Sequence, residues 1–255
     1  MSPMLRAVSA ASVAVLAMFA ASVPAASSPP SLAARCGGSV RGTTFWFKAA
    51  DGARLDGALL GTGRTGVVLA TEYPADLCGW VPEAAVLRRK GFRVFLFDFR
   101  GLGLSPTPGR AQAQLDYVQD VIGAARELRA RGASRIYLMG ASLGATSSIV
   151  AAARIRPAVA GVVSLSGEAD LSGAFPGSGL DAVAAAPRLR LPVLFLAARE
   201  DSLTPPADIA RMRAALHSRG SRVVVFPDAY HGWDLLYITP YKDRVAALIR
   251  GFLHR

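Results

Sequence analysis

Residues 138–148 read LMGASLGATSS, with Ser142 held between Gly140 and Gly144. A serine so placed can act as a nucleophile if a strand precedes the turn and a helix follows it, because the sharp reversal exposes the hydroxyl and crowds its neighbours. The positions two before and two after must then be small, and both are glycine. The helix N-terminus behind the serine would offer free N–H groups and positive potential where an oxyanion develops.

A serine hydroxyl is a weak nucleophile until a base takes its proton. The chain has three histidines, at 217, 231 and 254. His217 falls in an Arg-rich amphipathic segment and His254 is next to the C-terminus, so both read as solvated surface residues. His231, in FPDAYHGWDLL, follows the last strand-like segment and precedes the final helix, and it is the expected base. The acid that fixes its tautomer is expected to be Asp201, in LFLAAREDSLTPP, just past the penultimate strand. Glu200 reads as a solvent-facing loop carboxylate, and Asp228 and Asp234 lie too close to His231 along the chain to orient it from beneath. Trp233, beside His231, is a candidate pocket residue, whereas Trp46 and Trp80 read as core.

These residues require a scaffold of alternating strands and helices, and the chain supplies one. TTFWFKAADGARLDGALL reads as a hairpin turning at Asp51-Gly52, and GVVLAT as a short buried strand. A helix then opens at Pro82, runs to Lys90 and is closed by Gly91, and RVFLFDF follows as a strand. AQAQLDYVQDVIGAARELRARG spaces Leu115, Val118, Ile122 and Leu128 at helical intervals. RIYLMG is the strand before Ser142, and GATSSIVAAARIRP the small-residue helix after it. The strand VAGVVSLSG, the strand PVLFLAA, the helix PPADIARMRAALHSRG, the strand RVVVFP and the helix YKDRVAALIRGFLHR complete eight strands. The expected fold class is α/β, a mostly parallel eight-stranded sheet with helices on both faces. GTGRTG at 61–66 matches a dinucleotide fingerprint letter for letter, but a strand follows it where a helix is required, so it reads as a strand-to-strand loop.

Four segments in this order resemble the α/β-hydrolase-fold serine hydrolases over nearly the whole chain. They are DFRGLGLS at 98–105, GASLG around Ser142, REDSLTPP around Asp201 and HGW at 231–233. The resemblance implies Ser142, Asp201 and His231 as catalytic triad, in that chain order. It also implies an oxyanion hole built from the Leu143 N–H and from an N–H of the loop TEYPADLCGW, by position that of Tyr73, whose phenol is an extra candidate donor. Where many relatives carry His-Gly, this chain has Thr71-Glu72. A carboxylate at Glu72 aimed at a developing negative charge would oppose catalysis, so Glu72 is expected either to turn away, into a salt bridge such as one with Arg100, or to alter the hole. About 25 residues fill the space where relatives insert a lid, which implies a minimal cap and an open site.

Composition bounds the rest. At 255 residues and 52% hydrophobic the chain suits one domain. One Arg, an apolar run from about Ala7 to Ala21 and Val23-Pro24-Ala25 read as a cleaved export signal over 1–25, followed by a Ser/Pro-rich linker over 26–38 and the hydrolase domain over 39–255. The run is too diluted to span a bilayer, so no stable membrane insertion is expected. Export to an oxidising compartment, with two cysteines, leads to a Cys36–Cys78 disulfide. No close cysteine pair or histidine cluster suggests a metal, and no cofactor is expected. The formal charge is +11, with arginines scattered along the chain and not gathered in a stripe with aromatics. Nucleic acid is therefore not an expected partner. The charge admits association with anionic envelope polymers and a field favouring anionic substrates, or a solvated surface only.

The sequence thus points to a secreted or envelope-associated serine hydrolase acting on a small-molecule carboxylic ester through an acyl-enzyme. Peptide or thioester hydrolysis by the same residues, and a non-catalytic envelope-binding protein on the same fold, are the alternatives. Chain length of the acyl group and oligomeric state are not encoded in these motifs.

Overall fold

The computed structural model describes residues 28–109 and 114–254; the expected export signal lies outside the described residues. A short helix α1 (Leu32–Cys36) leads into strands β1 (Thr43–Lys48) and β2 (Arg54–Leu60), then β3 (Thr65–Ala70), helix α2 (Val81–Arg89) and β4 (Arg93–Phe97). Next come α3 (Tyr117–Ala130), β5 (Arg135–Ala141), α4 (Leu143–Arg154) and β6 (Gly161–Leu165). The chain continues through α5 (Ala182–Ala185), β7 (Val193–Ala198), α6 (Pro206–Ala215), β8 (Arg222–Phe226), α7 (Asp234–Tyr237) and α8 (Lys242–Leu253). The GTGRTG segment at 61–66 connects β2 to β3, its last two residues opening β3, so a strand and not a helix follows it.

The eight strands form one sheet in the order β1-β2-β4-β3-β5-β6-β7-β8. The β1–β2 and β2–β4 pairs are antiparallel and every later pair is parallel. Strands buried on both faces cannot alternate apolar with polar, which is why β3, β4 and β7 read as continuous apolar runs. Helices α3, α4, α5 and α6 cover one face and α2, α7 and α8 the other. The sheet order reverses beside β3, and the loops leaving the carboxyl ends of the neighbouring strands form the crevice where α/β sheets bind ligands.

Three local expectations are revised. Helix α3 begins at Tyr117, so Leu115 precedes it, because Asp116 caps it by accepting from the Gln119 N–H at 3.4 Å. Helix α6 ends at Ala215, so His217 is an exposed residue of the connection and not of the helix. The stretch read as a linker contains α1, which is docked: Leu32 is 1% exposed. A disulfide joins Cys36 to Cys78, in the 3₁₀ turn Leu77–Trp80. Arg35, between them in space, forms ion pairs with the buried carboxylates of Asp56 and Asp98 and lies 3.4 Å from Asp76. The short cap is as expected. Only α5 and a 3₁₀ turn at Ala186–Arg188 interrupt the connection between β6 and β7.

Candidate functional site

The turn between β5 and α4 puts Ser142 at φ 48°, ψ −120°, a left-handed conformation that a non-glycine residue adopts only under constraint. The constraint is visible on both sides. A Cβ at Gly140 would run into the backbone of Gly144, and one at Gly144 into the carbonyls of Ala70 and Thr71 at the end of β3. Helix α4 is built from small residues and is buried from Leu143 to Ala153, so it sits close to the sheet and fixes the turn. The Ser142 N–H donates to the Leu165 carbonyl at 2.9 Å. Leu143 is the first residue of α4, where an N–H has no carbonyl one turn back to meet.

His231 follows β8 and Asp201 follows β7, at the same end of the sheet as Ser142. His231 Nδ1 lies 2.8 Å from Asp201 Oδ2 and 3.0 Å from Oδ1. Asp201 is buried and itself held, its Oδ1 accepting from the N–H groups of Leu203 (2.9 Å) and Thr204 (3.0 Å). Burial works against the Asp201 carboxylate, but the His231 hydrogen bond and the Thr204 N–H outweigh it and keep its pKa below the usual range. On His231, burial opposes the charged form, and the hydrogen bond and charge of Asp201, with Glu168 and Glu72 beyond, more than offset it, so its pKa is raised. His231 Nε2 is buried and has no hydrogen-bond partner among the described residues.

The partner of the serine is a residue that the sequence reading passed over. Ser142 Oγ donates to Glu168 Oε1 at 3.2 Å. Thr146, one turn into α4, donates to the Glu168 carbonyl at 3.0 Å and lies 3.3 Å from Oε2. Burial lifts the Glu168 pKa, against the pull of its hydrogen bonds and of His231. The available signal was its place: GEAD leaves the carboxyl end of β6, which pairs with β5, so it emerges beside the turn that carries Ser142.

Glu72 does not reach Arg100. The Arg100 guanidinium is taken by Asp120 at 2.6 Å and Asp51 at 2.9 Å, away from the site. Glu72 instead accepts from the Trp233 N–H at 3.2 Å, tucked against Gly232, whose φ of +56° and contact with the carboxylate leave no room for a Cβ. Burial raises its pKa to about 7, against the pull of the Trp233 N–H and of His231. Trp233 packs edge-on to Trp80, ring centroids 5.7 Å apart. Tyr73, next in the loop after β3, is 52% exposed and packs its ring edge-on to Phe175 of the cap at 5.3 Å. Asp228, one of the weighed alternatives to Asp201, is bonded to Thr239 and is occupied in bracing the loop before α7.

The charged groups closest to Ser142 and His231 are therefore Glu72, Glu168 and Asp201, all acidic. A field favouring anionic substrates, as the net charge of the chain suggests, is not what this end of the molecule presents. Among the described residues no group of three or more His, Cys, Asp or Glu is placed to hold a metal ion.

The DFRGLGLS segment supports the site without entering it. Asp98 accepts from the N–H groups of Leu77 (2.8 Å) and Leu104 (2.6 Å) and pairs with Arg35, while Ser105 bridges the Asp98 carbonyl and the Asp56 N–H, each at 2.8 Å. The segment thereby anchors the loop that carries Glu72 and Tyr73.

Comparison with known proteins agrees with this architecture. Residues 67–180, from β3 through the Ser142 turn into the cap, match the family described as alpha/beta hydrolase fold. The uncharacterised protein YfhR of Escherichia coli K12 is 34% identical over 112 residues, 38% of this chain and 37% of that protein. Among solved structures, an esterase from Pyrococcus furiosus superposes with a TM-score of 0.69 at 16% identity, covering 84% of this chain and 92% of its own. A monoacylglycerol lipase from Paleococcus ferrophilus gives 0.65 at 20% identity, covering 78% of this chain and 98% of its own. An enol-lactonase from Burkholderia xenovorans gives 0.65 at 20% identity over 79% of this chain and 97% of its own. With an eight-stranded sheet of this order, and with residues 67–180 matching that pattern from β3 through the serine turn, the chain has the α/β-hydrolase fold.

Proposed function

We propose that this chain is an exported serine hydrolase that cleaves carboxylic esters through an acyl-enzyme on Ser142. His231 acts as base and then acid, and Asp201 holds the Nδ1–H tautomer and stabilises the imidazolium. The observation that carries the reading is the Asp201–His231 pair, 2.8 Å apart, at the same end of the sheet as a serine strained to φ 48° on a strand-to-helix turn. In attack, Ser142 Oγ leaves Glu168, gives its proton to His231 Nε2 and bonds to the carbonyl carbon. The oxyanion is received by the Leu143 N–H at the start of α4 and by the Tyr73 N–H. His231 returns the proton to the departing alcohol, and water, deprotonated by the same nitrogen, releases the acid. A serine triad names no leaving group, so thioesters and peptides remain within its chemistry; the short cap, with no appended carrier- or peptide-binding element among the described residues, favours small esters.

A non-catalytic envelope-binding role has one observation on its side, the engagement of the Ser142 hydroxyl by Glu168 in place of His231. Labelling with a fluorophosphonate separates the two. The expected result is a single adduct mapped by mass spectrometry to Ser142, lost in Ser142→Ala together with turnover of nitrophenyl esters. Asp201→Asn should cost on the order of 10⁴-fold in turnover, because the amide no longer holds the reactive tautomer, while Glu200→Gln and Asp234→Asn stay within about tenfold. An unlabelled Ser142, or full activity in Ser142→Ala, overturns the proposal.

A further inference from the structure

The fold sorts charge by the two ends of the sheet. Parallel strands put the loops that follow them at one end, with the site, and the loops that precede them at the other, together with the C-termini of the intervening helices. Of the 18 Asp and Glu residues, Glu127 alone lies in a segment reaching that second end, and it is paired with Arg131 at 2.6 Å. Cations, by contrast, precede strand after strand there. Arg88, Arg89 and Lys90 close α2 before β4, Arg131 and Arg135 separate α3 from β5, and Arg156, Arg188 and Arg190 stand before β6 and β7, all exposed. Arg219 and Arg222 continue the row to the β8 edge, and Arg41 and Arg64 to the other.

Cations at helix C-termini complement the macrodipole, and several of these side chains do bond carbonyls there, as Arg156 does to Ile155 at 2.7 Å and Arg190 to Pro187 at 2.6 Å. That accounts for single positions. It does not account for the scarcity of Asp and Glu over the whole end, which leaves cations in clear excess there. Concavities open among them: one of about 410 Å³ lined by Arg156, Arg188 and Arg190, and one of about 680 Å³ beside Arg41 and Arg88.

We propose that this end of the sheet is a docking face for a bilayer surface bearing anionic phospholipids, which holds the molecule with its Ser142 end turned to solution. The shape selects the partner. The cations come from helices on both faces of the sheet and extend across its width, roughly 34 Å at the usual strand spacing, so they form a two-dimensional field and not a groove. A linear polyanion would meet one row of it, whereas a planar anionic surface meets all of it. Arginine suits phosphate headgroups by its paired donors. The most exposed large apolar side chains, Leu203, Ile238 and Tyr73, lie at the site end, so contact at the cationic face is by charge and not by insertion. This inference does not depend on the chemistry proposed for Ser142.

The test is co-sedimentation of the chain from residue 28 onward, which holds every element described above, with phosphatidylcholine vesicles and with vesicles containing phosphatidylglycerol. Binding is expected to the anionic vesicles alone at low salt and is expected to be lost at 0.5 M salt. At about fivefold per lost cation, with the added carboxylates repelling the surface as well, the triple variants R156E/R188E/R190E and R88E/R89E/K90E should each bind more than about a hundredfold more weakly. The variant K48E/R54E/K242E, with the same net charge but altered at the site end, should lose less than about tenfold. Melting temperatures establish that each variant is folded, and two separate clusters guard against one failing to fold. Equal losses in the site-end variant would make net charge, not this face, the cause and would overturn the proposal. So would capture of soluble polyphosphate or duplex DNA under conditions where the anionic vesicles bind nothing.

Discussion

At the scale of residues, the unusual feature is that the serine and the histidine of the site share a third acidic neighbour. Glu168 accepts from Ser142 Oγ, and its charge, with those of Asp201 and Glu72, raises the His231 pKa. A base must be neutral to accept a proton, so kcat/KM should rise with pH through a limb lying above the 6.5 of an unperturbed histidine. Replacing Glu168 by Gln removes one negative charge that favours the imidazolium and should move the limb to lower pH, so the variant gains activity at pH 6 relative to pH 8. A pH–rate profile of both proteins checks this. An unmoved limb would mean that Glu168 is silent toward His231, and a purely structural role would change the amplitude and leave the limb in place.

The elements around the site are held by a device remote from it in sequence. Helix α1 is bound by the Cys36–Cys78 disulfide, 42 residues apart, and by Arg35, whose side chain is 8% exposed between Asp56 and Asp98. Closing a loop of that length stabilises by about 4 kcal/mol in the chain-entropy account. Arg35→Met would leave two buried carboxylates without their cation, at a cost of about 3–5 kcal/mol. Both changes release the same helix, so the Arg35→Met/Cys36→Ser/Cys78→Ser variant should lose less than the sum of the separate losses. Urea unfolding of the three proteins measures this, and strict additivity would show that the staple and the ion pair act on different parts of the structure. Tyr73 follows Glu72 by one residue and lies five residues before Cys78, so release of α1 should also lower ester turnover.

For the whole molecule, the relevant quantity is where the charge lies and not its total. The chain carries a formal +11, yet Ser142 and His231 are faced by Glu72, Glu168 and Asp201. Esters with an ammonium group on the acyl chain should therefore be turned over with a higher kcat/KM than their carboxylate counterparts at pH 8, by about tenfold or more. The preference should shrink at 0.5 M salt, which screens the charges. It should shrink again at pH 6, because Glu72, with a pKa near 7, is then largely protonated and neutral. A preference for carboxylate esters would show that the cationic end governs substrate approach after all.

Much of this was legible from local pattern. Continuous apolar runs bounded by turn residues located the central strands, because a strand buried on both faces must be apolar throughout, and Asp51-Gly52 located the β1–β2 hairpin. The two glycines around Ser142 marked the turn, because steric crowding there is a matter of five consecutive residues. Asp201 and His231 were legible because each directly follows a strand, and the carboxyl ends of parallel strands converge. Glu168 was not, since its approach to Ser142 depends on β6 pairing beside β5, and α1 was not, since its five residues dock only through Cys36, Arg35 and Leu32. The docking of Glu72 on the Trp233 N–H, and not on Arg100, was likewise a matter of which partner the folded loops bring within 3.2 Å. Arginines that look scattered along the chain recur just before strands, and only a parallel sheet, which gathers every such position at one end, turns that spacing into a face.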